Sequence, residues 1–486
     1  PLLFWMVKSE IAIPFRDQIK LVLKHWFPYL LLFLVAGFWR AFLFEYQTNN
    51  YEAGLVDLLR TNSIHAILTF LGLLFKDVWQ TLFGIWQLVV QFPGVEFGQR
   101  AWMILIIFVL TFFVFVLLVL YWSTHYKDNP PNKRKYKQSL FLSLVALILA
   151  GLPFWLTLIP VGLAFPNDRF TLPFILGVAI FWISATRLIP VRQWIQTGVV
   201  LIAVTLSTGY QVQTGIQFQR DWEQQSRFFW QMAWRIPSLE ENTIVFTHEL
   251  PLQYFSDNSL TSGLNWIYAD SDRQSNAIPY VLYYPTIRVG LAVKALSPDE
   301  PVNQNLLVGN FYGNTSQSIA VFYEPPACLR VLDPEIEADN WMVPLQVRET
   351  IHLTNLDLIK ETPQHIPPSI YNPEPSHQWC YYFQKADLAR QLGNWNEVVE
   401  IGEVAFSLGD QPNDPAERFP FIEGYAHQAL WEQAVSLTEQ SAAITPVIHP
   451  ALCKLWDRIE QETPVSDEKS SAIQKAVGSL QCEHQP

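Results

Sequence analysis

Apolar and polar positions fall in long blocks over the first 210 residues, without the short alternation of a surface helix or strand. Ala101–Trp122 holds 22 residues without a charge, and Tyr126–Lys137 behind it carries five Lys/Arg against one Asp. A run of that length crosses a hydrocarbon layer of about 30 Å as a helix. Short Lys/Arg-rich loops stay cytoplasmic, so the pair predicts a span and its orientation. Further spans are expected at Phe27–Phe44, Ser139–Phe165, Thr171–Thr186 and Trp194–Tyr210. Pro153 and Pro160 are expected to kink the second of these, as membrane helices tolerate. Ile64–Phe92 is apolar but carries Lys76-Asp77 midway. It reads equally as one long helix, a hairpin, or a helix lying on the surface. Placing 123–138 and 187–193 in the cytoplasm puts everything after Tyr210 outside.

Beyond Tyr210 the pattern changes. Residues 211–235 mix charged and aromatic positions and predict an amphipathic helix. Thr243–Thr247, Tyr280–Tyr284 and Ser318–Tyr323 are β-like runs between Pro/Asn/Ser turns, which predicts a small α/β domain. Residues 363–376 are proline-rich and read as a linker. From His377 the pattern is helical and repeats: Ala386–Glu400 recurs in part as Tyr425–Val435, with Trp395 and Trp431 at matching positions. That spacing is close to the tetratricopeptide period of about 34 residues. Pro450–Thr463 and Ser466–Gln481 are the expected capping helices. The expected fold class is therefore a polytopic α-helical membrane domain over 1–210 with about five or six helices. A small extracytoplasmic α/β domain over 211–362 follows, then an all-α tetratricopeptide-like domain over 377–486.

Charge sharpens the division. Residues 1–210 hold 16 Lys/Arg and 9 Asp/Glu, a formal +7; the remaining residues hold 16 and 35, a formal −19, which together give the net −12. A basic apolar half beside an acidic half predicts a membrane domain with a large extramembrane part, and the acidic part argues against nucleic acid as a partner. Cys328, Cys380, Cys453 and Cys482 all lie in the acidic half. If that half is extracytoplasmic, disulfides are permitted, in any of three pairings, with free buried thiols as the alternative. Apolar Pro1–Val7 reads as the end of a span already under way, so the chain is expected to continue a longer membrane protein.

No nucleophile elbow, phosphate-binding glycine loop, HExxH or Cys-x-x-Cys occurs. A metal site would have to be assembled from distant residues. The remaining candidates are ionisable residues at the membrane boundary, which are costly there and tend to be functional. They are Lys8 and Glu10, Arg40 inside a predicted span, and Asp168-Arg169 in a short turn between two spans. The plain alternative is an interfacial ion pair for Asp168-Arg169 and a helix anchor for Lys8.

Several pieces occur in a telling order: Lys8-Ser9-Glu10 followed by Ile-Ala-Ile-Pro14, Phe38-Trp39-Arg40, Pro166-Asn-Asp-Arg-Phe170, Gln219-Arg-Asp-Trp222, and then repeats. This resembles the transmembrane and tetratricopeptide-repeat O-mannosyltransferases and their bacterial relatives, which belong to the polytopic GT-C glycosyltransferases. The family has Lys and Glu adjacent where Ser9 intervenes here, and Glu-Arg-Tyr where this chain has Asp168-Arg169-Phe170. Residues 240–350 have no counterpart in it. The resemblance implies a C-terminal part of an enzyme that moves a sugar from a lipid-phosphate carrier in the cell membrane to an extracytoplasmic acceptor. Arg40 and Arg169 would neutralise the phosphate leaving group, and a divalent cation could assist. The catalytic carboxylate would lie in a loop upstream of Pro1, and the repeats would hold the acceptor or a protein partner. The rival readings are a membrane-anchored scaffold for envelope proteins and an O-antigen polymerase- or ligase-like protein.

Overall fold

The computed structural model describes residues 15–39, 43, 54–90, 99–125, 133–191, 193–269, 277–290, 296–306 and 308–482. It divides into two compact units, 1–216 and 217–486. In the first unit the helices are α1 (Phe15–Phe38), α2 (Gly54–Thr61), α3 (Ser63–Trp79), α4 (Ile85–Val90), α5 (Gln99–His125), α6 (Lys133–Thr157) and α7 (Ile175–Leu188). The next helix, α8 (Gln193–Arg235), contributes residues to both units. Among the described residues five stretches are long and apolar enough to cross a membrane: Ile19–Phe38, Ser63–Val89, Lys133–Thr157, Asn167–Leu188 and Ile195–Arg235. Ile106–Tyr121, within α5, is a shorter apolar helix.

Ile64–Phe92, ambiguous in sequence, is one helical path and not a hairpin over its described part. A π-turn at Gln80–Gly84 joins α3 to α4, so the helical path continues through Lys76-Asp77. Asn62 starts it, its side chain accepting the amide of His65. Ser139–Phe165 was expected as one kinked span. The structure ends α6 at Thr157: Leu158 takes a left-handed conformation (φ 56°), and Pro160 lies beyond the helix end. Pro153 stays inside the helix. The return leg begins as a 3-10 helix, Asn167–Phe174, before α7. The predicted last span and the predicted amphipathic helix are one continuous helix, α8, of 43 residues. At 1.5 Å per residue it is about 65 Å long, roughly twice a hydrocarbon layer. No proline interrupts 193–235, so nothing local stops the helix where its polarity changes.

The described residues of the second unit form nine short strands: β1 (Ser238–Leu239), β2 (Thr243–Phe246), β3 (Ala277–Ile278), β4 (Tyr280–Tyr283), β5 (Pro301–Leu306), β6 (Gly309–Asn314), β7 (Ser318–Phe322), β8 (Arg330–Val331) and β9 (Ile359–Lys360). The three runs read as strands are its central sheet. β4, β2 and β7 are mutually parallel, and β8 closes the edge antiparallel, in the order β4-β2-β7-β8. Helix α9 (Asp257–Tyr268), opened by a Ser256/Ser259 capping box, links β2 to β4. Alternation along the strands builds two cores. Val245, Leu282, Ile319 and Val321 pack with Phe228, Phe229 and α9, while Ile244, Phe246, Val281 and Phe322 pack with Phe311 and Val347.

Three helix pairs follow: α10 (Trp379–Gln391) with α11 (Trp395–Ser407), α12 (Phe419–His427) with α13 (Trp431–Ala442), and α14 (His449–Glu462) with α15 (Asp467–Leu480). The last two helices coincide with the expected capping segments. The first two pairs have the same turn. Gly393 and Ala429 are both left-handed, and the amides of Asn394 and Leu430 reach back to the carbonyls of Ala389 and Tyr425. Trp395 and Trp431 each open the second helix of their pair. Trp431 is 8% exposed. Trp395 is half-buried, its face stacked on His427 at 3.7 Å. Small residues let the pairs approach: Ala405 is fully buried, and a Cβ on Gly424 would meet Val398 Cγ1 at 2.5 Å.

The proline-rich segment read as a linker is packed within this unit. Tyr371 is buried, stacks on Trp222 at 5.3 Å, and its carbonyl accepts from Ser226 and from Trp230 Nε1. The structure also selects one cysteine pairing of the three, Cys328–Cys380 and Cys453–Cys482. The first bond ties the end of the β-rich part to α10, so residues on both sides of 363–376 belong to one compact body.

Candidate functional site

In the first unit, α7 and α8 are joined by the short 189–192 link and both line a cleft of about 910 Å3. Its walls are apolar: Ile85, Val89, Phe174, Ile175, Val178, Val199, Val200 and Val204 are among them. Its polar lining groups are Thr81, Thr186, Thr171 of the 3-10 helix, and Ser207, Thr208, Tyr210 and Gln211 of α8. Two residues before Thr171 stands Arg169. No lysine or arginine lines the cleft itself.

Asp168 and Arg169 are both exposed, and neither lines the cleft. They do not form the ion pair of the plain reading. Asp168 Oδ1 accepts the backbone amide of Arg169 at 2.9 Å, and the Arg169 guanidinium lies over the Phe170 ring at 5.0 Å. Among the described residues no carboxylate pairs with Arg169. Lys8, Glu10 and Arg40 lie outside the described residues.

Asp77 was visible in the sequence only as an interruption of an apolar run. Its carboxyl group is 1% exposed. Trp155 Nε1 of α6 donates to Oδ2 at 2.9 Å. That indole is seated against Gly151, where a Cβ would come within 2.2 Å of the ring. Asp77 Oδ1 has no hydrogen-bond partner, and neither has Gln80 Oε1 or Trp86 Nε1. Thr81, one turn on, is buried, and its hydroxyl donates to the Asp77 carbonyl at 2.8 Å.

The second unit buries far more charge and pairs nearly all of it. Arg235 Nε meets Asp387 Oδ2 at 2.5 Å. Arg390 bonds Asp387 and Asp333, at 2.9 and 3.0 Å, and Arg458 bonds Asp333 at 2.7 Å and both oxygens of Glu423. Burial acts to raise the Asp333 carboxyl, but the guanidiniums of Arg390 and Arg458 outweigh it and bring it down to about 2. Nearby, Arg330 bonds Glu337 and Asp414. Glu417 accepts from Trp379 Nε1 and the Cys328 amide, both at 2.7 Å, yet burial still pushes its carboxyl up to about 7. His248, at the end of β2 against Phe322, is pushed down to about 4 by burial.

One trio has metal-ligand composition: Glu423, His427 and Glu462 place a ligand atom each within 4.8 Å of the others. The donor set does not suit a cation. Both Glu423 oxygens already accept from Arg458, and Arg390 lies at 3.4 Å, so two guanidiniums occupy the space a metal would need. The trio is the rim of the ion network. Comparison with protein-family models, with curated proteins and with solved structures finds no match to this chain.

Proposed function

We propose that the protein is a GT-C-type membrane glycosyltransferase that takes its sugar from a lipid-phosphate carrier. The observation that carries this reading is the cleft: an apolar slot in the membrane unit with hydroxyl and amide groups in its lining, and Arg169, which has no carboxylate partner among the described residues, on the 3-10 helix that supplies Thr171 to it. An isoprenoid or acyl chain would fill the apolar walls. Its phosphate would be excluded from the slot, which has no cation, and held at Arg169. Thr171, Ser207, Thr208 and Gln211 would hydrogen-bond the first sugar or the phosphate oxygens. A guanidinium at that place would stabilise the phosphate as it leaves. The sequence resemblance supports the reading from a separate direction, and the two disulfides agree with an oxidising, extracytoplasmic setting for the 217–486 unit. The helix pairs, read as tetratricopeptide-like, would hold the acceptor or a protein partner.

The test is binding of a polyprenyl-phosphate sugar and of the matching polyprenol to the purified protein. The reading expects the phosphate compound to bind more tightly, by about tenfold or more for one desolvated charge-assisted pair. In Arg169→Ala that difference should vanish while polyprenol binding persists. Equal binding of both lipids to the unaltered protein, or no saturable binding of either, would leave the scaffold reading in its place.

A further inference from the structure

We propose that Asp77, Gln80 and Thr81 form a site for one monovalent cation, sodium or a proton, inside the membrane unit. The three residues stand at i, i+3 and i+4, so they share one face of the helical path. Each carries a side-chain oxygen. Asp77 Oδ1 and Gln80 Oε1 are buried acceptors without a donor, and Thr81 Oγ1 uses its proton on backbone carbonyls, which leaves its lone pairs available. Buried acceptors rarely stay unmatched. Two on one face of one helical turn call for a guest that supplies positive charge or a donated proton.

The composition of the site fixes the class of guest. All three ligands are hard oxygens, which suits an alkali cation and not a soft metal. They carry a single negative charge, which one monovalent cation balances and a divalent one would exceed. A proton on Oδ1 balances it equally and can be donated to Gln80 Oε1. Trp155 holds the other carboxylate oxygen, so the carboxyl plane is fixed before the guest arrives. The π-turn that begins at Gln80 displaces the helix register where the second ligand stands, a placement frequent at functional sites. Of the neighbouring charges, Lys76 is exposed and acts on the Asp77 carboxyl through its charge, Asp57 and Arg60 of α2 pair with each other in the open at 3.5 Å, and α6 presents the Trp155 indole. Thr81 also lines the cleft, whereas Asp77 and Gln80 do not, and the cation site does not rest on the glycosyltransferase reading.

The experiment uses the whole purified protein, with sodium chloride exchanged for choline chloride at constant ionic strength. If sodium is the guest, it raises the melting temperature saturably. Asp77→Asn, which keeps an acceptor for Trp155, removes that effect. Gln80→Leu weakens sodium affinity by about tenfold, the worth of one ligand contact. If the proton is the guest, sodium does nothing, and an infrared band of a protonated carboxyl is present, is lost in Asp77→Asn, and shifts in Gln80→Leu. The proposal is overturned if sodium acts equally on the unaltered and Asp77→Asn proteins. It is overturned too if there is neither a sodium effect nor an Asp77 carboxylic-acid band.

Discussion

In the 217–486 unit the large apolar side chains turn inward, and Trp379, Phe383, Phe421 and Trp456 are almost wholly enclosed. In the 1–216 unit they turn outward: Phe33 is 74% exposed, Ile64 75% and Phe75 69%. Both units follow the same rule under different solvents. Where water surrounds a body, apolar area is removed into a core. Where lipid is the expected surrounding, helices satisfy their own backbones and leave apolar side chains outside. Charge shows the same contrast more sharply. The second unit buries Arg235, Arg330, Arg390, Asp333, Asp387 and Glu423, each with an opposite charge in contact. Among the described residues the first unit buries one carboxyl group, Asp77, and leaves half of it unmatched. Paired burial belongs to architecture, and half-paired burial points to a guest.

The contrast can be broken at its strongest point by Asp387→Ala. This leaves the Arg235 guanidinium, which is fully buried, without its carboxylate, and should destabilise the second unit by about 3–5 kcal/mol. Chemical denaturation followed by tryptophan fluorescence measures it, and a loss under about 1 kcal/mol would mean the network is slack. Trp431→Ala should cost about 3–5 kcal/mol, while Trp395→Ala, at a half-buried position capped by His427, should cost roughly half as much. Equal losses would deny the difference in packing between the two helix pairs.

A pH series sharpens the picture of the paired network. Glu417 has its folded-state carboxyl raised to about 7 from an ordinary 4.5, so the folded protein holds a proton that the unfolded chain has released. Its contribution to stability is therefore present below about 4.5 and declines as pH rises through 7, by about 3 kcal/mol in all. His248, depressed to about 4, acts in the opposite sense, its contribution being present above 6.5 and lost as pH falls through 4. The clean measurement is thus the difference between the unaltered protein and Glu417→Gln. That difference should change with pH between 5 and 8, and a constant offset would refute the assignment. The smallest effect is expected at Asp77. Asp77→Asn should alter thermal stability in choline by less than about 1 kcal/mol, because the amide oxygen still accepts from Trp155. A collapse of the membrane unit in that variant would place Asp77 with the structural charges of the other unit.

Much of the layout was legible along the chain. The apolar runs at Phe27–Phe44, Ser139–Phe165, Thr171–Thr186 and Trp194–Tyr210 overlap helices long and apolar enough to cross a membrane, whereas Ala101–Trp122 overlaps only the shorter apolar helix Ile106–Tyr121; the three β-like runs are the three parallel strands, and Trp395 and Trp431 stand at equivalent turns. These features depend on neighbours a few residues apart, which sequence displays. Boundaries were less legible. The merger of 194–235 into one helix follows from the absence of a break, whereas the eye stops at a change of polarity. The exposed pair Asp168-Arg169 was singled out because its charge interrupts a turn, but its sequence did not reveal that the two side chains ignore each other.

The sequence by itself determined which segments are apolar enough to span a membrane, where charge changes sign, and which residue types are available for pairing. Local periodicity and composition are properties of the chain and survive any packing. Only the tertiary structure decided that Cys328 meets Cys380 and Cys453 meets Cys482, and that Tyr371 anchors the proline-rich segment. It also decided that Arg390 collects Asp333, Asp387 and Glu423, and that Asp77 finds Trp155 across 78 residues of chain. Such contacts join positions far apart in the sequence, and the energy that selects them comes from burying and pairing groups together, which no single segment carries.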